Sequence, residues 1–86
     1  MTFEITYDKQ PIKFLKKLDK NIVKRILDKV DVVFANEPVP SDAKRIFGEH
    51  GVFRIRIGDY RILYRIDYEK NMIVIFKIDK RENVYD

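Results

Sequence analysis

Hydrophobic and polar residues alternate from residue 52 to residue 66, and this pattern predicts a β-hairpin. Gly58 and Asp59 interrupt the alternation, which is typical of a two-residue turn. Counting outward from that turn places Arg56 directly opposite Arg61. One face of the hairpin then carries aromatic and aliphatic side chains. The opposite face carries four arginines and two aliphatic residues: Val52, Arg54, Arg56, Arg61, Leu63 and Arg65.

The pair formed by Arg56 and Arg61 is unusual, because like charges directly opposite each other destabilise a sheet. Such a pair is tolerated where water solvates both side chains or where an anion binds between them. The guanidinium group is a planar fork that matches the oxygens of a phosphate. From the hairpin alone, a phosphate-binding face and a solvated outer face are equally compatible with the pattern.

The rest of the chain predicts strands and helices around this hairpin. Residues 3–7 alternate and predict a first strand. Apolar residues at helical spacing predict one helix through residues 11–18 and a second through residues 22–34. Ser41 and Asp42 are suited to cap a single helical turn over residues 43–46. The apolar run at residues 72–76 predicts a central strand that is buried on both faces.

The resulting order, β-α-α-β-β-β, predicts an α+β fold in a single domain over residues 1–86. We expect the two helices to form a hairpin that covers one face of the sheet. The last three strands are connected by short turns and form an antiparallel meander. The first strand pairs at an edge after the two helices. The basic face of the hairpin then lies opposite the helices.

Composition narrows the kinds of site that we expect. The net charge is +4, from 18 basic and 14 acidic residues. Asp59 is the one acid within the arginine hairpin, so positive charge is concentrated there. A concentrated basic face favours an anionic polymer as partner. The chain has no cysteine and one histidine, so we expect no metal site of the usual His/Cys type. A chain of 86 residues has no space for a large enclosed cofactor pocket, so we expect no cofactor. His50 follows Glu49, but a lone loop histidine is more often incidental than an acid or base. No apolar run is long enough to cross a membrane, and we expect a cytoplasmic protein without membrane contact.

The segment FRIRIGDYRILYRI, followed by KRENVY, resembles the RelE toxins of bacterial and archaeal toxin–antitoxin systems. The resemblance covers essentially the whole chain. It implies a ribosome-dependent endoribonuclease that cleaves mRNA in the A site without a metal. The RNA 2′-hydroxyl attacks the adjacent phosphate and leaves a 2′,3′-cyclic phosphate and a 5′-hydroxyl. The implied partners are the ribosome, mRNA and a cognate RelB-like antitoxin, assembled as two toxins with two antitoxins.

The resemblance also implies roles for individual residues. Arg61 and Arg81 match the arginines that stabilise the crowded, negatively charged phosphorane. Arg54 and Arg56 match the basic pair that holds flanking phosphates and developing charge. Tyr85 matches a tyrosine that offers an aromatic face and a phenol. The predicted catalytic residues are therefore Arg56, Arg61, Arg81 and Tyr85. The predicted RNA- and phosphate-binding residues are Arg54, Arg56, Arg65 and Lys80.

Two positions depart from the family pattern. Well-studied members carry lysine where this chain has Arg54 and Arg56, and arginine does not lose its proton in a protein. Arg56 is therefore not expected to act as the general base. Either Tyr85, made more acidic by the surrounding cations, or solvent takes the proton. Arg65 matches no functional position of the family and is either a phosphate contact or a solvated side chain.

Two other functions remain open for this sequence. One is a non-catalytic toxin of the same fold, resembling the ParE branch, which poisons DNA gyrase. The other is a non-catalytic RNA-binding module. The joint presence of Arg61, Arg81 and Tyr85 favours the endoribonuclease. Simple RNA-binding sheets carry aromatic residues on the basic face, whereas Tyr60 and Tyr64 are predicted on the opposite face.

Overall fold

The structure is a computed structural model that describes residues 3–35, 37–40, 43–46 and 51–80. Five strands form one sheet in the order β1-β5-β4-β3-β2, with β1 parallel to β5 and all other neighbours antiparallel. The predicted α+β architecture, with the first strand at an edge, is confirmed. The elements are β1 (Glu4–Tyr7), α1 (Lys9–Lys16), α2 (Lys20–Val33), β2 (Lys44–Arg45), β3 (Val52–Ile57), β4 (Tyr60–Asp67) and β5 (Met72–Lys80).

The hairpin of β3 and β4 has the predicted register. Ile57 pairs with Tyr60 and Arg56 pairs with Arg61 across the turn. Gly58 has a φ of 58°. This positive value suits a II′ turn, in which glycine takes the first central position because it lacks a Cβ. The turn therefore fixes which residues of the two strands face each other.

The hydrophobic core lies between the helices and one face of the sheet. Ile26 and Val30 of α2 pack there, and Tyr64 of β4 is fully buried. The Tyr64 phenol donates a hydrogen bond of 2.8 Å to the Pro38 carbonyl, so its polar end is satisfied. Neither described helix is both long and apolar enough to cross a membrane. The buried core residues are Ile26, Val30, Phe34, Ile55, Ile57, Ile62, Tyr64, Ile73, Ile75 and Ile78.

The helical turn predicted over residues 43–46 is wrong. Lys44–Arg45 instead forms the two-residue strand β2, which pairs antiparallel with Arg54 and Phe53 of β3. The Ile46 amide extends this pairing by donating 2.9 Å to the Val52 carbonyl. An isolated helical turn orders several residues for a single hydrogen bond, whereas the open edge of β3 offers bonds at once. Ser41 and Asp42, the predicted cap, lie outside the described residues.

The prediction that β5 is buried on both faces is also wrong. Ile73 and Ile75 are fully buried, but Val74 and Phe76 are only half-buried. In the described part of the chain, α1 and α2 pack on one face of the sheet alone. β5 lies between β1 and β4, so it is an interior strand next to the edge.

The register of β4 against β5 shifts between Leu63 and Tyr64. This shift is a β-bulge, which places one extra residue on β5. The core residues of β5 are Ile73, Ile75 and Ile78. The last two are consequently three residues apart, where regular alternation would put them two apart. The residues beyond the bulge therefore change face.

Candidate nucleic-acid interface

The face of the sheet opposite the core is basic, and we call it the outer face. All four hairpin arginines alternate with core residues, so the register puts them on this face. Arg56 is exposed, and Arg54 is half-buried opposite Leu63. Lys44 of β2 pairs in register with Arg54 and extends the face sideways. Within the described residues, the cations of the outer face are Lys44, Arg54, Arg56, Arg61, Arg65 and Lys77.

Arg61 is held by a carboxylate across the sheet. Its Nε donates a hydrogen bond of 3.2 Å to Oδ1 of Asp79, and its Nη2 donates one of 2.9 Å to Oδ2. The Arg61 side chain is 13% exposed and that of Asp79 is 22% exposed. Lys77 approaches the same carboxylate, with Nζ 4.0 Å from Oδ2. The pair of opposed arginines found in the sequence therefore faces an anion within the chain itself.

Arg65 has two structural partners. Its Nη2 lies 3.9 Å from Oδ2 of Asp8, and its guanidinium carbon lies 5.6 Å from the centre of the Phe76 ring. The side chain is 51% exposed, so the ion pair with Asp8 is weak. Arg65 remains accessible on the outer face, but these contacts hold it toward the β1 side of the sheet.

Lys80 does not share the outer face. It pairs in register with Tyr60, whose ring contacts Phe14 of α1 with centroids 6.0 Å apart. Alternation therefore puts Lys80 on the helix side of the sheet, away from the arginines. The predicted phosphate contact of Lys80 therefore stays a prediction, and this placement does not support it. Arg81 and Tyr85, together with Glu49 and His50, lie outside the described residues.

Gln10 of α1 closes the open edge of β5 beyond the end of β1. Its Nε2 donates 3.0 Å to the Ile78 carbonyl, and its Oε1 accepts 2.9 Å from the Ile78 amide. The side-chain amide thus replaces the backbone of a neighbouring strand. These two bonds fix the segment of β5 that carries Asp79. The chain continues from this segment toward Arg81 and Tyr85.

A second surface lies on the helix side, between β1 and the two helices. It is an open groove of about 890 Å³. Lys16, Lys20 and Lys24 also line it, so the groove is apolar with several cations. β1 pairs only with β5 within the described residues, so its other edge adjoins this groove. The apolar lining residues are Ile5, Tyr7, Ile12, Leu15, Leu18, Val23 and Leu27.

The chain matches the family model of the ParE toxin of the type II toxin–antitoxin system parDE over residues 5–85. It is also 33% identical over 88 residues to the protein of Methanocaldococcus jannaschii that is named RelE1. That alignment covers 99% of this chain and 97% of the relative. The chain belongs to the RelE/ParE superfamily of type II toxins. Two relatives that align over 96% or more of this chain, RelE1 and RelE3 of M. jannaschii, carry the RelE name, so it is a toxin of RelE type.

Solved structures of RelE-type toxins share this fold. A chain of the archaeal RelE–RelB complex from Pyrococcus horikoshii aligns with a TM-score of 0.79 and 31% identity, over 98% of this chain and 100% of the matched chain. A chain of the RelBE2 toxin–antitoxin complex from Mycobacterium tuberculosis aligns with a TM-score of 0.73 and 30% identity, over 94% and 93%. The isolated RelE toxin of E. coli, at 17% identity and a TM-score of 0.75, adds support for the fold alone.

On this RelE-type fold, the sequence alone missed three residues that shape the outer face or support it. Lys44 was missed because β2 was not predicted. Asp79 and Lys77 were missed because their face depends on the bulge in β5, which the spacing of Ile75 and Ile78 signals only in hindsight. The described residues contain no cluster of three or more metal-ligating side chains of the His, Cys, Asp or Glu type.

Proposed function

We propose that this chain is a ribosome-dependent endoribonuclease that cleaves mRNA in the A site and thereby inhibits translation. The observation that carries the proposal is the row of Arg56, Arg61 and Asp79 across three neighbouring strands. It combines an exposed guanidinium with a neighbouring one that is held in a fixed orientation. A binding surface needs only charge, whereas a transition state gains most from donors that are already oriented.

In the proposed reaction, the RNA 2′-hydroxyl attacks its own phosphorus, and the bond to the 5′-oxygen of the next nucleotide breaks. The products are a 2′,3′-cyclic phosphate and a 5′-hydroxyl, and no metal takes part. Arg61 and Arg81 stabilise the charge on the phosphorane, and Arg54 and Arg56 hold the neighbouring phosphates. Tyr85 stacks on a base or donates its phenol. The proton of the 2′-hydroxyl passes to Tyr85 when its phenol is ionised, or to solvent. Solvent supplies the proton that the departing 5′-oxygen takes up.

We propose a RelB-like antitoxin as the partner, in an assembly of two toxins and two antitoxins in the cytoplasm. Complexes of related RelE toxins with RelB support this partner. So does the groove between β1 and the helices, because it is apolar and its charged lining, three lysines and one aspartate, is net positive. An amphipathic segment with acidic flanks fits both features. Such a segment loses conformational entropy when it becomes ordered on binding.

The test is cleavage of an mRNA stalled with an empty A site, with and without ribosomes, followed by analysis of the product ends. We expect cuts only with ribosomes and ends that carry a 2′,3′-cyclic phosphate. Absence of cleavage by folded, antitoxin-free protein would overturn the proposal.

Gyrase poisoning is the second candidate, because the matching family model is named for ParE. A DNA supercoiling assay with gyrase distinguishes it from cleavage and from simple RNA binding.

A further inference from the structure

Asp79 reaches the outer face only because β5 contains a bulge. Ile75 faces the core, and strict alternation from Ile75 would turn Asp79 inward. The register shift makes Ile78 the next core residue, so Asp79 lies outward and directly opposite Arg61. Bulges commonly re-aim a side chain next to a functional site. The backbone irregularity therefore has a specific effect: it brings a carboxylate to an arginine.

We propose that Asp79 is a positioning residue for RNA cleavage, which holds the Arg61 guanidinium in the orientation that the transition state requires. This inference rests on the proposed endoribonuclease function. It assigns Asp79 no contact with RNA, because the carboxylate acts through Arg61.

The contact between the two side chains has the geometry of an anchor. Both Oδ atoms of Asp79 accept from Arg61, through Nε at 3.2 Å and Nη2 at 2.9 Å. An arginine has five N–H donors, so this fork uses two and leaves three for a phosphate. Charge-assisted bidentate pairs fix the plane of the guanidinium as well as its position. Arg61 thus loses its side-chain freedom during folding, before RNA binds.

The opposite interpretation is that Asp79 masks Arg61 and must leave before RNA binds. The burial of the pair argues against it, since the two side chains are only 13% and 22% exposed. Opening the pair would leave the mostly buried Asp79 carboxylate without Arg61. Among the described residues, the cation that remains near it is Lys77, whose Nζ is 4.0 Å away. Gln10 also holds the β5 backbone at Ile78, directly beside Asp79.

Asp79 also reduces the repulsion within the arginine row. Arg56 and Arg61 are direct cross-strand neighbours, which alone disfavours this register. Asp79 occupies the next strand on the other side of Arg61. With Lys77 near the carboxylate, the row keeps a net positive charge for RNA. The carboxylate therefore orders the row without cancelling its attraction for phosphate.

The test compares Asp79→Asn with wild type in two assays. One measures the affinity for a 2′-O-methyl RNA, which cannot be attacked at its own phosphate. The other measures single-turnover cleavage of stalled mRNA at saturating toxin. Asp28→Asn is the matched control. Asp28 pairs with Lys24 at 2.8 Å on the exposed face of α2, and its substitution changes the net charge by the same amount.

Positioning predicts that Asp79→Asn lowers the saturated cleavage rate at least about tenfold, while RNA affinity stays equal or becomes tighter. Asp79→Glu restores part of the rate, and Asp28→Asn keeps the wild-type rate. A faster rate together with tighter binding would mean masking and overturn the proposal. A lower melting temperature with an unchanged rate below that temperature would reduce Asp79 to a structural role and overturn it as well.

A spectroscopic measurement separates this inference from the proposed function. The Arg61 Nε–H should give a sharp ¹⁵N-correlated signal that is protected from exchange, present in Asp28→Asn and lost in Asp79→Asn. If wild type does not cleave RNA, the proposed function fails, and this signal alone decides whether Asp79 orders Arg61. Its absence from the wild-type spectrum would overturn the anchor itself.

Discussion

The two faces of the hairpin formed by β3 and β4 differ in what their side chains contact. Ile62 and Tyr64 point into the core and are fully buried. Their neighbours Arg61 and Arg65 point the other way and contact carboxylates. Because successive residues alternate in direction, one short stretch supplies both the packing that stabilises the fold and the charge proposed to act on RNA. Substitutions at neighbouring residues of this stretch should therefore affect stability and activity separately.

The outer face itself is not uniform. Arg61, next to the turn, is anchored by a bidentate and mostly buried pair, whereas Arg65 is half exposed and makes one long ion pair with Asp8 besides its contact with the Phe76 ring. Arg56 is exposed, with no carboxylate partner among the described residues. An anchored cation and an exposed cation therefore lie side by side. We expect the anchored one to affect the rate of cleavage and the exposed one to affect RNA binding.

The largest effect on stability is expected from Ile62→Ala. Ile62 is fully buried, and truncating such a side chain removes apolar contacts and leaves a cavity, at a cost of about 2–5 kcal/mol. Leu63→Ala is the matched control on the outer face, where the side chain is only half-buried, and it should cost less than half as much. Urea denaturation of both variants measures the difference. Equal losses would contradict the assignment of the two faces.

Gln10→Ala tests whether the helix side of the sheet supports the outer face. The change removes both hydrogen bonds to the Ile78 backbone, and we expect a loss of about 1–3 kcal/mol. The Ile78 amide should also exchange its hydrogen faster. Lys9→Ala, at the exposed start of α1, is the control and should change neither quantity. An unchanged exchange rate at Ile78 in Gln10→Ala would rule out this anchor for β5.

Arg56→Ala tests the exposed cation. We expect affinity for single-stranded 2′-O-methyl RNA to fall about tenfold, or about 1.4 kcal/mol. The slope of log affinity against log salt should become shallower by about 0.7, because one phosphate contact is lost. Stability should stay within about 0.5 kcal/mol of wild type. Lys29→Ala removes the same charge from the exposed face of α2 and should leave RNA binding unchanged. Equal effects of the two variants would mean that only net charge matters.

The smallest effect concerns Tyr7, on the helix side of the edge strand. Burial, reinforced by the Asp31 carboxylate, raises the pKa of Tyr7 from 10.0 to about 12. The pKa of Tyr7 is higher in the folded state than in the unfolded state, so protonated Tyr7 makes its full contribution to stability below pH 10. That contribution is lost as the pH rises toward 12. Wild type should lose about 1 kcal/mol more stability than Tyr7→Phe over that interval, after discounting for partial exposure. Denaturation curves at several alkaline pH values test this, and parallel losses would contradict it.

The hairpin was predictable in detail because two local signals agree. The period of two assigns each residue to a face, and the two-residue turn at Gly58 sets the register, so the pairing of Arg56 with Arg61 followed by counting. The α2 helix was predictable because its apolar stripe extends over several turns. Both features depend on residues close together in the sequence.

Features that depend on distant neighbours were not predictable in this way. A two-residue strand such as Lys44–Arg45 has too few positions for a period, and it forms because the edge of β3 is open. The pairing of Arg61 with Asp79 depends on a bulge, whose position is set by how β5 packs against β4 and the core. The roles of Arg81 and Tyr85 came from family resemblance and remain predictions. Local pattern thus identified the arginine face, whereas long-range packing supplied the carboxylate that orders it.

The most direct test of the account is the single-turnover cleavage rate of Arg61→Ala on mRNA stalled with an empty A site. Lys29→Ala is measured in the same ribosome preparation, and circular dichroism verifies that both variants are folded. We predict that Arg61→Ala cleaves at least about 100-fold more slowly than wild type, because a preoriented donor to the transition state is lost. Lys29→Ala should keep the wild-type rate. Cleavage by folded Arg61→Ala at the wild-type rate would contradict the assignment of the outer face as the catalytic site.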